Sequence, residues 1–247
     1  MRVAVAGGTG VVGSHVVTVL RRAGHDPVVL ARSEGVDVVT GRGVAAALTG
    51  VDAVIDVTNI ETLSRRRATA FFTAGTTRLL DAGRRANVRH HVLLSIVGVD
   101  RVGIGYYRAK VEQERLVETS QWPFTVLRAT QFHEFPGQLL ARSPGPVVLM
   151  PRMRIRPVAA VEVAERLAAI ATGDPLGTRQ EIAGPQVHDL VDLAGRVEAR
   201  HARPRRIIPL PVLGKAAHAV AGAALLPDAG ATLGTVTFDE WLTAERP

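Results

Sequence analysis

The chain has no cysteine, and only two of its 30 basic residues, Lys110 and Lys215, are lysines. Without cysteine, disulfides and thiolate metal sites are excluded, and the redox compartment is left open. Aromatic residues make up 4% of the 247 positions, and none stud a basic strand or recognition helix of the kind that reads nucleic acid. The net charge of +7 therefore reads as a solvated basic surface, its arginines scattered in short groups such as Arg65-Arg66-Arg67 and Arg84-Arg85, and no nucleic-acid partner is expected. Long apolar runs are missing too. The longest, "PVLGKAAHAVAGAALLP" (211–227), is interrupted by Lys215 and His218 and is too short to span a bilayer, so no membrane partner is expected. "MRVAVAGG" lacks the charged start and long apolar core of a secretory signal, which makes a cytoplasmic protein the expectation. No His, Asp and Glu set has metal-ligand spacing and no Ser/His/Asp arrangement suggests hydrolysis; metal is expected to be none.

What is present is strand–helix alternation. "RVAVAG" (2–7), "PVVLAR" (27–32), "VDVVT" (36–40), "DAVIDVT" (52–58), "HVLLSIV" (91–97) and "FTVLRA" (124–129) are short, nearly continuous apolar runs, as strands buried on both faces of a parallel sheet require. Amphipathic segments lie between them, the clearest at 68–86 and 109–120; 158–172 and 188–202 are helical by period. The pattern predicts an α/β fold, a doubly wound parallel sheet of Rossmann type, with a ligand at the carboxyl ends of the strands where the strand order reverses. Residues 1–247 are expected to form one such domain, in which about 131–247, richer at first in Pro and Gly, contribute a small C-terminal substrate lobe.

"AVAGGTGVVGSHVV" places Gly7, Gly10 and Gly13 between the first strand and the first helix, spaced GxxGxxG. That spacing meets a demand for a tight turn, a bare backbone near a pyrophosphate and close helix–strand packing. The following helix N-terminus offers N–H groups and a positive dipole end to phosphate. Gly8, Thr9, Val11 and Val12 complete the expected cofactor-binding loop, and Thr58 and Asn59, closing "DAVIDVTN", join it. At the end of the second strand, "LARSEG" sets Ala31 where an NAD-selective site puts an acid. Arg32, with Ser33 as a further donor, suits a 2′-phosphate, so NADP is the expected cofactor, with NAD possible.

"GYYRAK" spaces Tyr106 and Lys110 one helical turn apart, with Tyr107 three residues from the same lysine. A phenol needs a nearby cation to act as an acid–base group at neutral pH, and a compact ammonium can also bond a cofactor ribose, which a forked guanidinium does not easily replace. Lys110 is therefore both a catalytic and a cofactor-binding candidate. Ser95, near the carboxyl end of the strand "HVLLSIV", is placed to hold a substrate carbonyl or hydroxyl.

Together GxxGxxG, Ser95 and Tyr106-xxx-Lys110 resemble the short-chain dehydrogenase/reductase superfamily. "VRHHVLLSIVGVD", "YYRAKVEQERLVE", "WPFTVLRATQFHEF" and "RPVAAVEVAERL" resemble its NmrA-like, atypical branch of extended type. The resemblance covers the chain well to about residue 172. It implies Tyr106 as acid/base, Lys110 as the group that positions the nicotinamide ribose and lowers the phenol pKa, and Ser95 as the group that polarises the substrate. Two residues depart from the branch pattern: Arg42 in "TGRG" stands where relatives carry an acid, and Asp56 stands where they carry His or an apolar residue, with no physical account from sequence.

In this fold the segment "RATQFHEFPG" should wall the substrate cleft, with Gln131 and His133 as polar groups, Phe132 as apolar wall and Glu134 and Phe135 beside them. His90 and His91 are expected at the surface and His15 in a structural role. The expected activity is NADP(H)-dependent oxidoreduction of a small carbonyl or quinone-like substrate, with a homodimer as a possible assembly. One alternative is an NmrA-type regulator that senses NAD(P) without turnover. The other is a nucleotide-sugar epimerase or reductase, which shares the triad; the C-terminal lobe is short for gripping a nucleotide diphosphate.

Overall fold

A computed structural model describes residues 1–62, 64–211 and 222–244. Seven strands, β1 (Arg2–Ala6), β2 (Asp26–Leu30), β3 (Ala53–Asp56), β4 (His90–Ile96), β5 (Phe124–Ala129), β8 (Arg179–Ala183) and β11 (Thr232–Leu233), form one sheet in the order β11-β8-β5-β4-β3-β1-β2. The sheet is a parallel α/β sheet of Rossmann type, as the apolar runs predict. Val3, Ala4, Val5, Ala6, Ala53 and Ile55 are fully buried, because strands covered on both faces have no polar side to present. β1 lies between β2 and β3, paired in parallel with each, so the strand order reverses beside β1. Pro27 is tolerated in β2 because that strand is the sheet edge, where a missing N–H need not break a ladder.

The first of two compact units comprises Met1–Ser95, Gly103–Arg128 and Ala160–Gln180. In it, helix α1 (Val11–Arg22) packs against α6 (Ala160–Thr172), and α3 (Arg65–Arg85) against α4 (Gly105–Thr119). α3 begins where the Ser64 hydroxyl accepts the Arg67 amide at 3.4 Å, an N-cap that satisfies one orphan donor. Glu114 of α4 meets Arg128 of β5 at 2.7 Å with both side chains buried, and the short helix α2 (Val44–Ala47) closes the core beneath β1 and β2.

Two expectations fail in this unit. Residues 36–40 are not a strand. Asp37 Oδ1 accepts the Val39 amide at 2.8 Å and the Thr40 amide at 3.3 Å, a local capture of donors that competes with a sheet ladder. Val36 and Val38 are buried all the same, so the run is apolar because it packs. His90 and His91 are buried rather than at the surface, since β4 begins at His90 and lies between β3 and β5. The His90 ring bonds Thr125 Oγ1 at 2.9 Å, and burial pushes its pKa down to about 4.

The second unit comprises Ile96–Val102, Ala129–Ala159 and the described residues from Glu181 on. It contains α5 (Phe135–Ala141), β6 (Val147–Pro151) paired in parallel with β10 (Arg206–Leu210), β7 (Arg154–Ile155) paired with β9 (His188–Asp189), α7 (Leu190–Glu198) and α8 (Phe238–Ala244). Asp189 caps α7 by accepting the Val191 amide at 2.8 Å. Most of the apolar stretch 211–227 lies outside the described residues.

Candidate functional site

The carboxyl end of β1 runs into the glycine loop, and the loop's shape follows from what its glycines omit. A side chain on Gly13 would put its Cβ 2.1 Å from the Gly7 carbonyl oxygen, a distance no Cβ tolerates. Gly7 adopts φ +82° and lies so close to Val57 and Thr58 that a Cβ would come within 3.0–3.2 Å of their backbone. Gly10 opens α1 without a side-chain cap, and the first turn carries no acid. Such a turn leaves its dipole and amides to be met by an anion. Thr9, Gly10 and Val11 are exposed while Gly8, Val12 and Gly13 are buried. This cradle fits a dinucleotide pyrophosphate.

Arg32 and Ser33 lie in a short 3-10 turn just past β2, both exposed. Arg32 forms no ion pair among the described residues, so its guanidinium is uncommitted. Arg42 is likewise exposed.

Gly7, Thr58, Asn59 and Tyr106 form a continuous series. Thr58 backs onto Gly7, and Asn59 follows it and accepts the Tyr106 hydroxyl through Oδ1 at 2.6 Å. The Tyr106 ring stands edge-on to Phe72, with centroids 5.8 Å apart. Tyr107 stands edge-on to Tyr106 at 6.0 Å and has no hydrogen bond through its hydroxyl among the described residues. The two tyrosines that sequence spacing could not separate are thus distinguished by Asn59.

Lys110 is 4% exposed. Its ammonium donates to the Leu94 carbonyl at 2.8 Å and to Gln113 Oε1 at 2.6 Å, and lies 4.8 Å from the centre of the Phe72 ring. Burial pushes the Lys110 pKa down to about 8, while Asp56 and Glu114 hold it up. Burial pushes the Tyr106 phenol up, with Tyr107 adding to the rise, and Tyr107 shifts the same way through burial. The lowering of the phenol expected from Lys110 is therefore not realised in this arrangement, in which tyrosine and lysine each have other partners.

The lysine shift has a measurable consequence. Its ordinary value is 10.5, so between about pH 8 and pH 10 the unfolded chain holds a proton that the folded chain has lost. Stability should therefore rise with pH across that window, by up to about 3 kcal/mol for a shift of this size. Urea midpoints measured from pH 7.5 to 10 should increase in the wild type and stay flat in Lys110→Met.

Ser95 is 3% exposed, and its hydroxyl has no hydrogen-bond partner among the described residues. An unmet buried hydroxyl is costly and uncommon. It fits a group that serves a bound molecule.

Sequence reasoning could not explain Asp56; the fold does. Asp56 is 1% exposed and accepts from Thr58 N at 3.0 Å, Thr58 Oγ1 at 2.6 Å, Gln113 Nε2 at 3.2 Å and Thr76 Oγ1 at 3.4 Å. Thr76 and Gln113, both buried, belong to the site and were missed. Their only sequence signal is a polar residue on the inward stripe of an amphipathic helix.

Gln131, Phe132 and His133 belong to the second unit. Phe132 bridges to Val158. The His133 ring packs with Phe238 and Trp241, each at 5.6 Å, and its Nε2 meets the Val236 carbonyl at 3.0 Å. Both amide atoms of Gln131 are buried without a hydrogen-bond partner among the described residues. Among the described residues no group of three or more His, Asp or Glu could hold a metal, and no helix is long and apolar enough to cross a membrane.

Residues 7–164 match the model of a family described as NAD(P)H-binding. Among solved structures, a short-chain dehydrogenase/reductase superfamily protein from Agrobacterium tumefaciens with bound NAD is 19% identical, with a TM-score of 0.72 over 99% of this chain and 95% of that one. The NADPH complex of an NADPH-dependent quinone oxidoreductase from Escherichia coli is 18% identical, with a TM-score of 0.70 over 98% and 99%. A triphenylmethane reductase from Citrobacter sp., complexed with NADP(H), is 16% identical, with a TM-score of 0.65 over 86% and 80%. No curated protein matched.

Proposed function

Because the chain belongs to the NAD(P)H-binding family, we propose that it is an NADP(H)-dependent oxidoreductase that reduces a small carbonyl or quinone-like substrate. The observation that carries this reading is the contact of the Tyr106 hydroxyl with Asn59, which follows the residue backing onto Gly7. It supports Tyr106 as a proton donor beside the dinucleotide loop, on the helix that also bears Lys110.

A bound reduced nicotinamide supplies the hydride. Tyr106 leaves Asn59 to give its proton to the substrate oxygen as the carbon gains the hydride. Ser95 donates a hydrogen bond to the same oxygen, stabilising charge that develops there. Lys110 is proposed to orient the ribose. Gln131, Phe132 and His133 are proposed as substrate-binding residues, and about 131–247 as a substrate lobe. Purified protein should oxidise NADPH against at least one member of a panel of quinones and carbonyls, and inactivity against the whole panel would reject the reading.

Cofactor choice is proposed to rest on Arg32 and Ser33. A charge-assisted contact to a 2′-phosphate contributes about 1.5–3 kcal/mol, so Arg32→Ala should weaken NADPH binding about 10- to 100-fold and leave NADH unchanged. Titration of both dinucleotides against both proteins checks this.

The commitment of the Lys110 ammonium to Leu94 and Gln113 favours one second reading, a regulator that binds the dinucleotide without turnover. Such a protein would bind one redox state preferentially and be inactive across the same panel.

A further inference from the structure

The hydrogen bonds around Asp56 have a fixed direction. Lys110 can only donate, so Gln113 must present its carbonyl oxygen to the ammonium, at 2.6 Å. Its amide nitrogen then points the other way, to Thr76 Oγ1 at 2.9 Å and Asp56 Oδ2 at 3.2 Å. Thr76, accepting from Gln113, has its own proton left for Asp56 Oδ2 at 3.4 Å. Both Thr58 donors converge on the other carboxylate oxygen. Every neighbour of Asp56 gives and none receives, a pattern that suits only a carboxylate acceptor. Gln113 is fully buried and Thr76 and Asp56 nearly so. The result is an ammonium and a carboxylate held apart by one amide, with no water-facing member except at the Thr58 end.

We propose that Asp56, acting through the Gln113 amide, is a positioning residue that holds Lys110 as an ammonium with its charge and direction fixed from the β3 side. The relay begins at Thr58, which backs onto Gly7, and ends at the lysine one turn beyond Tyr106. It therefore joins the dinucleotide loop to the Tyr–Lys helix through the core. Its use in catalysis rests on the role proposed above for Lys110, but the relay itself does not.

The charged and titratable groups around the lysine are few. β3 supplies Asp56. β4 supplies His91, whose pKa burial pushes down against the pull of Asp56. α4 supplies Tyr106, Tyr107 and Glu114. Glu114 is already paired with Arg128 of β5 at 2.7 Å and approached by Arg179 of β8 at 3.4 Å. α3 turns only uncharged groups toward the network, Thr76 and Phe72. Asp56 is thus the carboxylate in this set without a guanidinium partner among the described residues.

With two lysines in the chain, protein labelled with carbon-13 at lysine Cε gives one NMR signal from each, and Lys215→Arg assigns them. The Lys110 signal should titrate near pH 8 in the wild type. Asp56→Asn should lower that midpoint by at least about one pH unit, because the stabilising charge is gone. Gln113→Leu, which severs the relay and leaves the carboxylate, should lower it too and serves if the first variant does not fold. A midpoint within about 0.3 pH units of wild type in a folded variant overturns the relay.

Steady-state NADPH oxidation supplies the second arm. Asp56→Asn should lose about threefold or more in kcat at pH 7.5, with activity returning as pH falls toward the lowered midpoint and the lysine regains its proton. If the NMR midpoint moves while the kcat profile stays fixed, the catalytic positioning is overturned through the role assigned to Lys110. If the midpoint stays fixed, it is the relay that fails.

Discussion

Tyr106→Phe should lower kcat/KM for NADPH-dependent reduction by about 10²–10⁴-fold, the range removed with a positioned general acid, while dinucleotide affinity stays within about threefold. The substitution deletes one oxygen and keeps the ring. The edge-on contact with Phe72 and the packing of the first turn of α4 should therefore survive, and only the bond to Asn59 is lost. A loss confined to turnover, with NADPH titrations superimposed on wild type, identifies the hydroxyl as a participant in the chemical step. Tyr107→Phe is the matched control. Its hydroxyl has no partner at the loop, so full activity is expected. If the two variants exchanged these outcomes, the acid would be Tyr107, and if neither lost activity the proton would come from another group.

Gly13→Ala should abolish dinucleotide binding, by at least about 100-fold, equivalent to about 2.7 kcal/mol. The new Cβ would lie 2.1 Å from the Gly7 oxygen and 2.7 Å from the Gly8 Cα. Both obstacles are backbone, so relief requires α1 to move away from the end of β1. That movement disperses the first-turn amides and the cradle together. Overpacking of this kind also costs about 1–3 kcal/mol of stability. Isothermal titration with NADPH and a thermal melt together separate the two effects: binding should vanish while a cooperative, lowered melting transition remains. Gly24→Ala is a useful contrast. Gly24 has a positive φ of 77° but open space around it, so it should show mild backbone strain and normal binding.

What could be read from the sequence was what depends on near neighbours. The glycine loop is legible because three small residues, a strand before and a helix after all lie within a few positions. Tyr106 and Lys110 are legible as a pair because helical spacing fixes which residues share a face. Residues 36–40 misled because a buried turn and a buried strand are equally apolar, and only the Asp37 carboxylate distinguishes them. His90 and His91 misled because a polar residue at a strand entrance says nothing of the layers on either side. Asp56 was visible but unintelligible: its partners Thr76 and Gln113 lie 20 and 57 residues further on, and only packing of α3 and α4 against the sheet brings them together. Predicting that the phenol would be lowered assumed an isolated Tyr–Lys pair, whereas burial acts on both groups and Gln113 competes for the lysine.

The network under the sheet also bears on inheritance. Most core positions can drift one at a time, since a neighbouring methyl tolerates another methyl. Asp56, Thr76, Gln113 and Lys110 cannot, because any single step strands a donor, a carboxylate or an ammonium in the interior. Their substitutions should be strongly non-additive, with a double change such as Asp56→Asn with Lys110→Met milder than the sum of its parts. Descendants of this chain should then keep the four residues together or lose them together, as one unit of variation spread over three elements.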